Sequence, residues 1–376
     1  MIDANNKKVV VLSAFYEPFM SGAEQMAKEI IERLGKKYEM TLITCRLDRK
    51  LPLTENRPFF KLIRVGIGFK KIDKYLYPFL ASLRLRKIKP NIVHAVMESY
   101  AGGALLLTKY LYPRAKRILT LQSGDLDDPK KQKKILIGIF WKLIHRTPDK
   151  LTAISSFLAK RAERLGVKKE NIEITPNGVD LSRIPNISEK IPNRVICVAR
   201  LSWEKGLDYL IKAWPEILRK EPETKLVLVG EGDKRREIEN LIKELNISGS
   251  VELRGNLPHD KTLEEIKKSE IFICPSLAEG LGIVFIEAQA CGVPPIGTKV
   301  GGIPDVIQDN ENGLLIEPRN SQVIADAIIK LLQDKNFTDR LSKKALETVK
   351  KYDWENIVEK ISKIYENFNC YRHLSA

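Results

Sequence analysis

The sequence predicts an α/β protein built from two doubly wound domains, each a mostly parallel sheet packed between layers of helices. Short β-branched runs alternate with stretches of helical spacing along most of the chain, as when crossover helices bury strands on both faces. The alternation breaks across NGVDLSRIPNISEKIPNR (177–194), which is rich in turn residues and lacks periodicity, and then starts again. At 376 residues the chain has room for two cores.

In the first domain, taken as 1–183, the strand runs are KKVVVLSAF, MTLITC, KLIRVG, NIVHAV, RILTLQ, KLTAIS and IEITP, with GAEQMAKEIIERLGKK as the first intervening helix. In the second, taken as 190–355, the strands are RVICVAR, KLVLVG, VELRG, IFICPS, VPPIGT and GLLIEP. EKGLDYLIKAWPEILRK, DKRREIENLIKEL, TLEEIKK, VFIEAQA and ADAIIKLLQD supply helices between them. DWENIVEKISKIYENF gives a last helix, and 356–376 is set apart as a C-terminal segment. Ligands of such sheets bind beyond the carboxyl ends of the strands, so a site is expected where the two domains face each other.

Composition narrows the function. No apolar run approaches the roughly 18 residues that cross a bilayer, and the charged start MIDANNKKVVVLSAF does not read as a secretory signal, so a cytoplasmic location is expected. Five scattered cysteines and four histidines suggest neither a disulfide framework nor a metal cluster. The net charge of +16 lies in the first half: residues 1–180 carry +17 and the remainder −1, with +15 within 57–150 alone. FKKIDKYLYPFLASLRLRKIK (69–89) and KKQKKILIGIFWKLIHR (130–146) mix basic with apolar residues, as do helices that lie on anionic membranes; ordinary surface helices packed on a sheet read the same way. A nucleic-acid footprint would also be basic, but no motif with stacking aromatics accompanies this charge, and no nucleic-acid partner is expected.

The segment CPSLAEGLGIVFIEAQACGVPPIGTKVGG (274–302) carries the sharpest chemical signal. Gly280-Leu281-Gly282 links a buried strand to a helix and is flanked by Glu279 and, on the helix, Glu287. A glycine loop feeding a helix N-terminus offers unpaired N–H groups and a positive dipole end to an anion, while the carboxylates offer acceptors to neutral hydroxyls. By spacing alone, Glu279 is equally a loop charge and Glu287 a solvated helix residue. Arg200, ending RVICVAR, and Lys205, opening the next helix, bring two cations to the same strand-to-helix edge; alone they would read as exposed charges near a turn.

The whole 274–302 string, with GGIPDVI, NGLLIEP and VARLSWEKGLDYLIKA, resembles the Glu-x7-Glu region of the retaining GT-B glycosyltransferases of family 4, and the resemblance covers nearly the entire chain. It implies two Rossmann-like domains, the first binding acceptor and the second donor, with the C-terminal helix crossing back to the first. It further implies Arg200, Lys205 and Glu279 as the catalytic set: the cations on a diphosphate, Glu279 on hydroxyls of the transferred sugar. The donor pocket would add Glu287 on the ribose, the backbone of Gly280, Leu281, Gly282 and Ile283, and Asn256 in the RGNLP turn near the base. SGAE (21–24) resembles the family's Gly-Gly-x-Glu turn, so Gly22 would offer its amide to the donor phosphate. NIVHAV and TLQSGD keep His94 and Asp125 as acceptor-side candidates, while Val96 and Gln122 stand where the family often has histidine. His94 also reads as a packed residue at a strand end.

The reaction implied is sugar transfer with retained configuration from a nucleoside-diphosphate sugar to a hydroxyl acceptor. Asp125-Leu126-Asp127 spells the metal-binding Asp-x-Asp of the other glycosyltransferase fold, but reads as a loop, and with cations and a helix terminus at the phosphates no metal or other cofactor is expected. The basic first domain favours a lipid-linked glycan or polyprenyl phosphate acceptor, with the protein peripheral on the cytoplasmic membrane face. A soluble sugar or small-molecule acceptor, or an epimerase or sensor of nucleotide sugars, is the alternative.

Overall fold

The computed structural model describes residues 7–123 and 135–368. The chain divides into two compact units, Met1–Asn177 with Trp354–Ala376, and Gly178–Asp353.

The first unit holds β1 (Lys8–Leu12), α1 (Gly22–Leu34), β2 (Glu39–Cys45), β3 (Thr54–Asn56), β4 (Phe60–Val65), α2 (Lys70–Ile88), β5 (Ile92–Val96), α3 (Tyr100–Leu111), β6 (Lys116–Leu121), α4 (Ile135–Arg146), β7 (Lys150–Ala153), α5 (Ser156–Arg164) and β8 (Ile172–Ile174). Its strand order is β3-β4-β2-β1-β5-β6-β7-β8, and among the described residues only β3, an edge strand paired with β4, runs antiparallel. Sequence reasoning had no strand at Thr54–Asn56, because TEN is three polar residues with no apolar face. The central strands are sealed: Val9, Val10, Val11, Leu42, Val93 and Leu119 expose no surface.

The second unit runs β9 (Arg194–Val198), α6 (Leu207–Lys220), β10 (Lys225–Val229), α7 (Arg235–Glu244), β11 (Val251–Gly255), α8 (His259–Lys267), β12 (Ile271–Cys274), α9 (Ile283–Ala290), β13 (Pro295–Thr298), α10 (Ile303–Val306), β14 (Leu314–Ile316), α11 (Ser321–Gln333) and α12 (Lys335–Thr348). Its sheet is wholly parallel in the order β11-β10-β9-β12-β13-β14, which is third-second-first-fourth-fifth-sixth, that of dinucleotide-binding doubly wound sheets.

Two details set the boundary between units. Val179 donates its N–H to Tyr352 O at 2.8 Å and bridges Asp353, which draws the chain from Gly178 onward into the second unit rather than from position 190. The last helix, α13 (Trp354–Asn367), packs on α1 in the first unit. Tyr365 is fully buried there: its ring meets Tyr38 edge-on at 5.7 Å, and its carbonyl accepts from the Lys7 ammonium at 2.8 Å. Cys45, Cys197, Cys274 and Cys291 are buried free thiols. Among the described residues no helix is long and apolar enough to cross a membrane.

Candidate active site

In the second sheet, strands added after β9 build outward on one side and those from β12 on the other, so the loops following β9 and β12 leave adjacent strands at the point where the strand order reverses, the place at the sheet's carboxyl edge where ligands of such sheets bind. Arg200 and Lys205 lie on the first of these loops; Glu279, Gly280, Leu281 and Gly282 lie on the second.

The loops are fastened together by backbone. Leu277 and Ala278 donate to Glu204 O at 2.7 and 3.3 Å. Gly206 caps α6 at φ 60°, and a Cβ there would lie 2.3 Å from Pro275 O, so only glycine lets the Lys205 turn meet the β12 loop. A third loop joins from beyond β13. Gly302 donates to Glu279 O at 3.2 Å, and a Cβ on Gly301, φ 54°, would lie 1.8 Å from that same carbonyl.

On this scaffold Lys205 Nζ donates to Glu279 Oε2 at 2.6 Å, with both side chains mostly buried, 16 and 17 % exposed. Glu279 Oε1 accepts from the Gly280 N–H at 3.1 Å. Burial alone would depress the Lys205 ammonium, but the Glu279 carboxylate, followed by Cys274, outweighs it and holds the pKa above the ordinary lysine value. Lys205 therefore stays charged at any physiological pH. Arg200 is looser, its side chain 65 % exposed and its Nη2 3.5 Å from Glu204 Oε1. Gly282, at φ 88°, opens α9 with no side-chain cap; the Phe285 N–H turns back to Gly282 O at 3.0 Å, and the Ile283 and Val284 N–H groups, which precede any intrahelical acceptor, stand at the helix start beside Arg200 and Lys205.

Glu287 sits one turn into α9, 9 % exposed, and its Oε1 accepts from His259 Nε2 at 2.8 Å. Asn256 is exposed just after Gly255, which turns at φ 66°. The structure thus gathers Arg200, Lys205, Glu279, Gly280, Leu281, Gly282 and Ile283 at one strand edge, with Glu287 behind them and Asn256 on the turn after β11.

The first unit has its own point of order reversal, between β1 and β5. Gly22 opens α1 at the end of the loop that follows β1, where Glu24 Oε2 accepts the Ser21 N–H at 2.9 Å. Glu98, fully buried after β5, pairs with Arg161 of α5 and accepts the Gln122 N–H at 3.1 Å. Arg161 also donates to Ser123 O at 2.8 Å. Gln122 and Asn177 exchange two amide hydrogen bonds of 3.1 and 3.0 Å.

His94 is withdrawn from the acceptor side. It exposes no surface, its Nδ1 meets Tyr365 Oη at 2.7 Å and its Nε2 meets Thr120 Oγ1 at 2.6 Å, so both ring nitrogens are satisfied inside the core. Burial pushes its pKa down to about 3, which keeps the imidazole neutral. Asp125, with Leu126 and Asp127, and the basic start of the 130–146 segment lie outside the described residues.

Sequence reasoning missed His259, Glu98 and Arg161. The pairs they form span 28 and 63 residues, so no local spacing announces them; a buried acid straight after a strand, as at Glu98, was the only available sign.

Comparison with known proteins bears on this geometry. The model of the glycosyl transferases group 1 matches residues 181–348, and that of Glycosyltransferase Family 4 matches 20–183. N-acetyl-alpha-D-glucosaminyl L-malate synthase of Bacillus anthracis is 31 % identical over 370 residues, covering 93 % of this chain and 94 % of that protein. The chain belongs to glycosyltransferase family 4. This glycosyltransferase has the GT-B fold. Sucrose-phosphate synthase of Thermosynechococcus elongatus superposes with a TM-score of 0.82 at 21 % identity, over 96 % of this chain and 99 % of that one. Anabaena HepE in complex with UDP and glucose gives 0.77 at 18 % identity, over 96 and 100 %.

Proposed function

We propose that this glycosyltransferase moves a sugar from a nucleoside-diphosphate sugar to a hydroxyl of a lipid-linked glycan, or to the phosphate oxygen of a polyprenyl phosphate, at the cytoplasmic membrane face, with retained configuration and without a metal. The observation that carries the donor half is the convergence of Arg200, Lys205 and the uncapped N-terminus of α9 at the switch point of the second sheet. HepE, with the same fold, binds UDP and glucose, which agrees with a nucleotide-sugar donor.

In this reaction the bond from the sugar's anomeric carbon to the diphosphate oxygen breaks, and its electron pair leaves with the phosphate. The acceptor oxygen bonds to that carbon on the same face; a hydroxyl acceptor passes its proton to the departing phosphate oxygen, whereas an ionised phosphate acceptor has none to give. The ring becomes oxocarbenium-like as negative charge gathers on the diphosphate. Lys205, kept charged by Glu279, neutralises that charge together with Arg200 and the helix dipole, and their fixed placement means little reorganisation as the charge grows. Glu279 accepts hydroxyls of the transferred sugar, and Glu287 accepts those of the ribose.

The acceptor half draws on the surface of the first unit. On α2, Ile72, Tyr75, Leu76, Phe79 and Leu83 stand exposed among Lys70, Lys71, Lys74, Arg84, Arg86 and Lys87. On α4, Ile139, Phe140 and Leu143 are exposed as well. A Cβ on Gly103 of α3 would lie 3.5 Å from Pro78 and 3.7 Å from Phe140, so α2 and α4 flank the same spot on α3 and their apolar faces adjoin. An apolar face rimmed by cations suits an anionic bilayer.

The small-molecule acceptor is the second reading, favoured by the kinship to a synthase whose name gives L-malate as acceptor. Incubation with radiolabelled UDP-, GDP- and ADP-sugars and a lipid extract separates the two. Label entering the organic phase supports the lipid acceptor; label found only in water-soluble product supports the other; no donor turnover at all refutes both.

A further inference from the structure

We infer that His259 is a positioning residue for the nucleoside end of the donor: from the first turn of α8 it holds the Glu287 carboxylate in the orientation that grips the ribose. The inference rests on the proposed reading of Glu287 as the ribose acceptor.

The geometry is a clasp between two elements. Glu287 projects from α9 and is nearly buried, whereas His259 opens α8 directly after the turn at 254–258, its side chain about half exposed. Their 2.8 Å bond joins the turn expected near the base to the helix whose N-terminus faces the diphosphate. An ionised carboxylate has roughly four acceptor positions, so one bond to His259 leaves ample capacity for a ribose diol. What the bond removes is rotamer freedom. A carboxylate already held in place spares the ligand the ordering cost it would otherwise meet on binding.

The charges around the imidazole make the clasp sensitive to pH. It is faced by Glu287 from α9, by Asp260 beside it on α8, and by Arg183 from the 3-10 turn Leu181–Arg183. The hydrogen bond to Glu287 dominates and raises the pKa above the ordinary histidine value, against partial burial and Arg183. Below that raised pKa the bond is charge-assisted; above it the neutral ring still donates, more weakly.

The test is calorimetric titration with UDP, GDP and ADP, continued with whichever binds, on wild type, His259→Ala, His259→Asn and Glu287→Ala between pH 6 and 9. Thermal melts check that each variant folds. His259→Ala should weaken nucleotide binding about tenfold, the scale of one hydrogen bond to a charged group, and raise the donor KM with kcat little changed. His259→Asn, a neutral donor, should recover part of the affinity and remove the pH dependence that wild type shows as affinity falls with rising pH. Wild-type affinity in His259→Ala, or an unchanged pH profile in His259→Asn, overturns the inference. If Glu287→Ala also binds like wild type, the ribose assignment itself fails and the inference falls with it.

Discussion

Lys205 and Glu279 close a 2.6 Å charge-assisted hydrogen bond between two loops that leave neighbouring parallel strands, 74 positions apart in the chain. The pair places a permanently charged ammonium beside the start of α9. Lys205→Ala or Arg200→Ala should therefore lower kcat by about two orders of magnitude or more, the scale of losing a donor that stabilises developing charge. Steady-state rates at saturating donor measure it, and near-wild-type turnover in both variants would dismiss the assignment.

The glycines that fasten the loops should be as sensitive as the charged groups. Gly301→Ala combines a positive φ with a Cβ 1.8 Å from Glu279 O, a backbone atom that cannot swing aside. A destabilisation of about 1–3 kcal/mol is expected, with a loss of activity beyond what unfolding explains. Gly249→Ala, with no atom within 4 Å of the added Cβ, is the matched control and should leave activity unchanged. Urea midpoints and rates on both variants decide it.

Acid should weaken the first unit through His94. Its folded pKa near 3 lies far below the unfolded value of 6.5, so between them the unfolded chain binds a proton that the folded one refuses. The stabilisation is complete above 6.5 and is lost as pH falls toward 3, with a slope of up to about 1.4 kcal/mol per pH unit from this one group. In His94→Gln, which cannot titrate, the slope of unfolding free energy against pH over that window should fall by about one proton. An unchanged slope would mean that the imidazole is not held neutral.

Membrane attachment should follow the α2 surface. Replacing Lys70, Lys71 and Lys74 by glutamine should weaken sedimentation with anionic vesicles by about 1 kcal/mol per charge, and Phe79→Asp should weaken it through the apolar contact. Raised salt should release the wild-type protein. Equal binding to neutral and anionic vesicles would contradict the electrostatic part of the reading.

Much of the fold was legible because its strands are buried on both faces. Runs such as KKVVVLSAF and IFICPS are apolar without alternation and bounded by turn residues, which leaves little choice but a parallel strand. β3 escaped, since an edge strand of three polar residues is made by pairing rather than by pattern. The residues proposed for the donor were readable as a group because the loops after β9 and β12 carry them in short local motifs. His259 was not, because its meaning lies in a contact with Glu287 across two helices. His94 shows the converse: a familiar motif position turned inward, where Tyr365 from the far end of the chain occupies one ring nitrogen.

On the proposed reading, the carboxyl edge of the second sheet, between β9 and β12, binds the donor's diphosphate. A crystal structure with UDP, GDP or ADP, chosen by the largest thermal shift, decides it. Phosphate oxygens should lie within hydrogen-bond reach of Arg200, Lys205 and the Ile283 and Val284 amides of α9. A nucleotide bound elsewhere, with the Lys205–Glu279 pair and those amides untouched by it, would show that the donor does not bind at this edge.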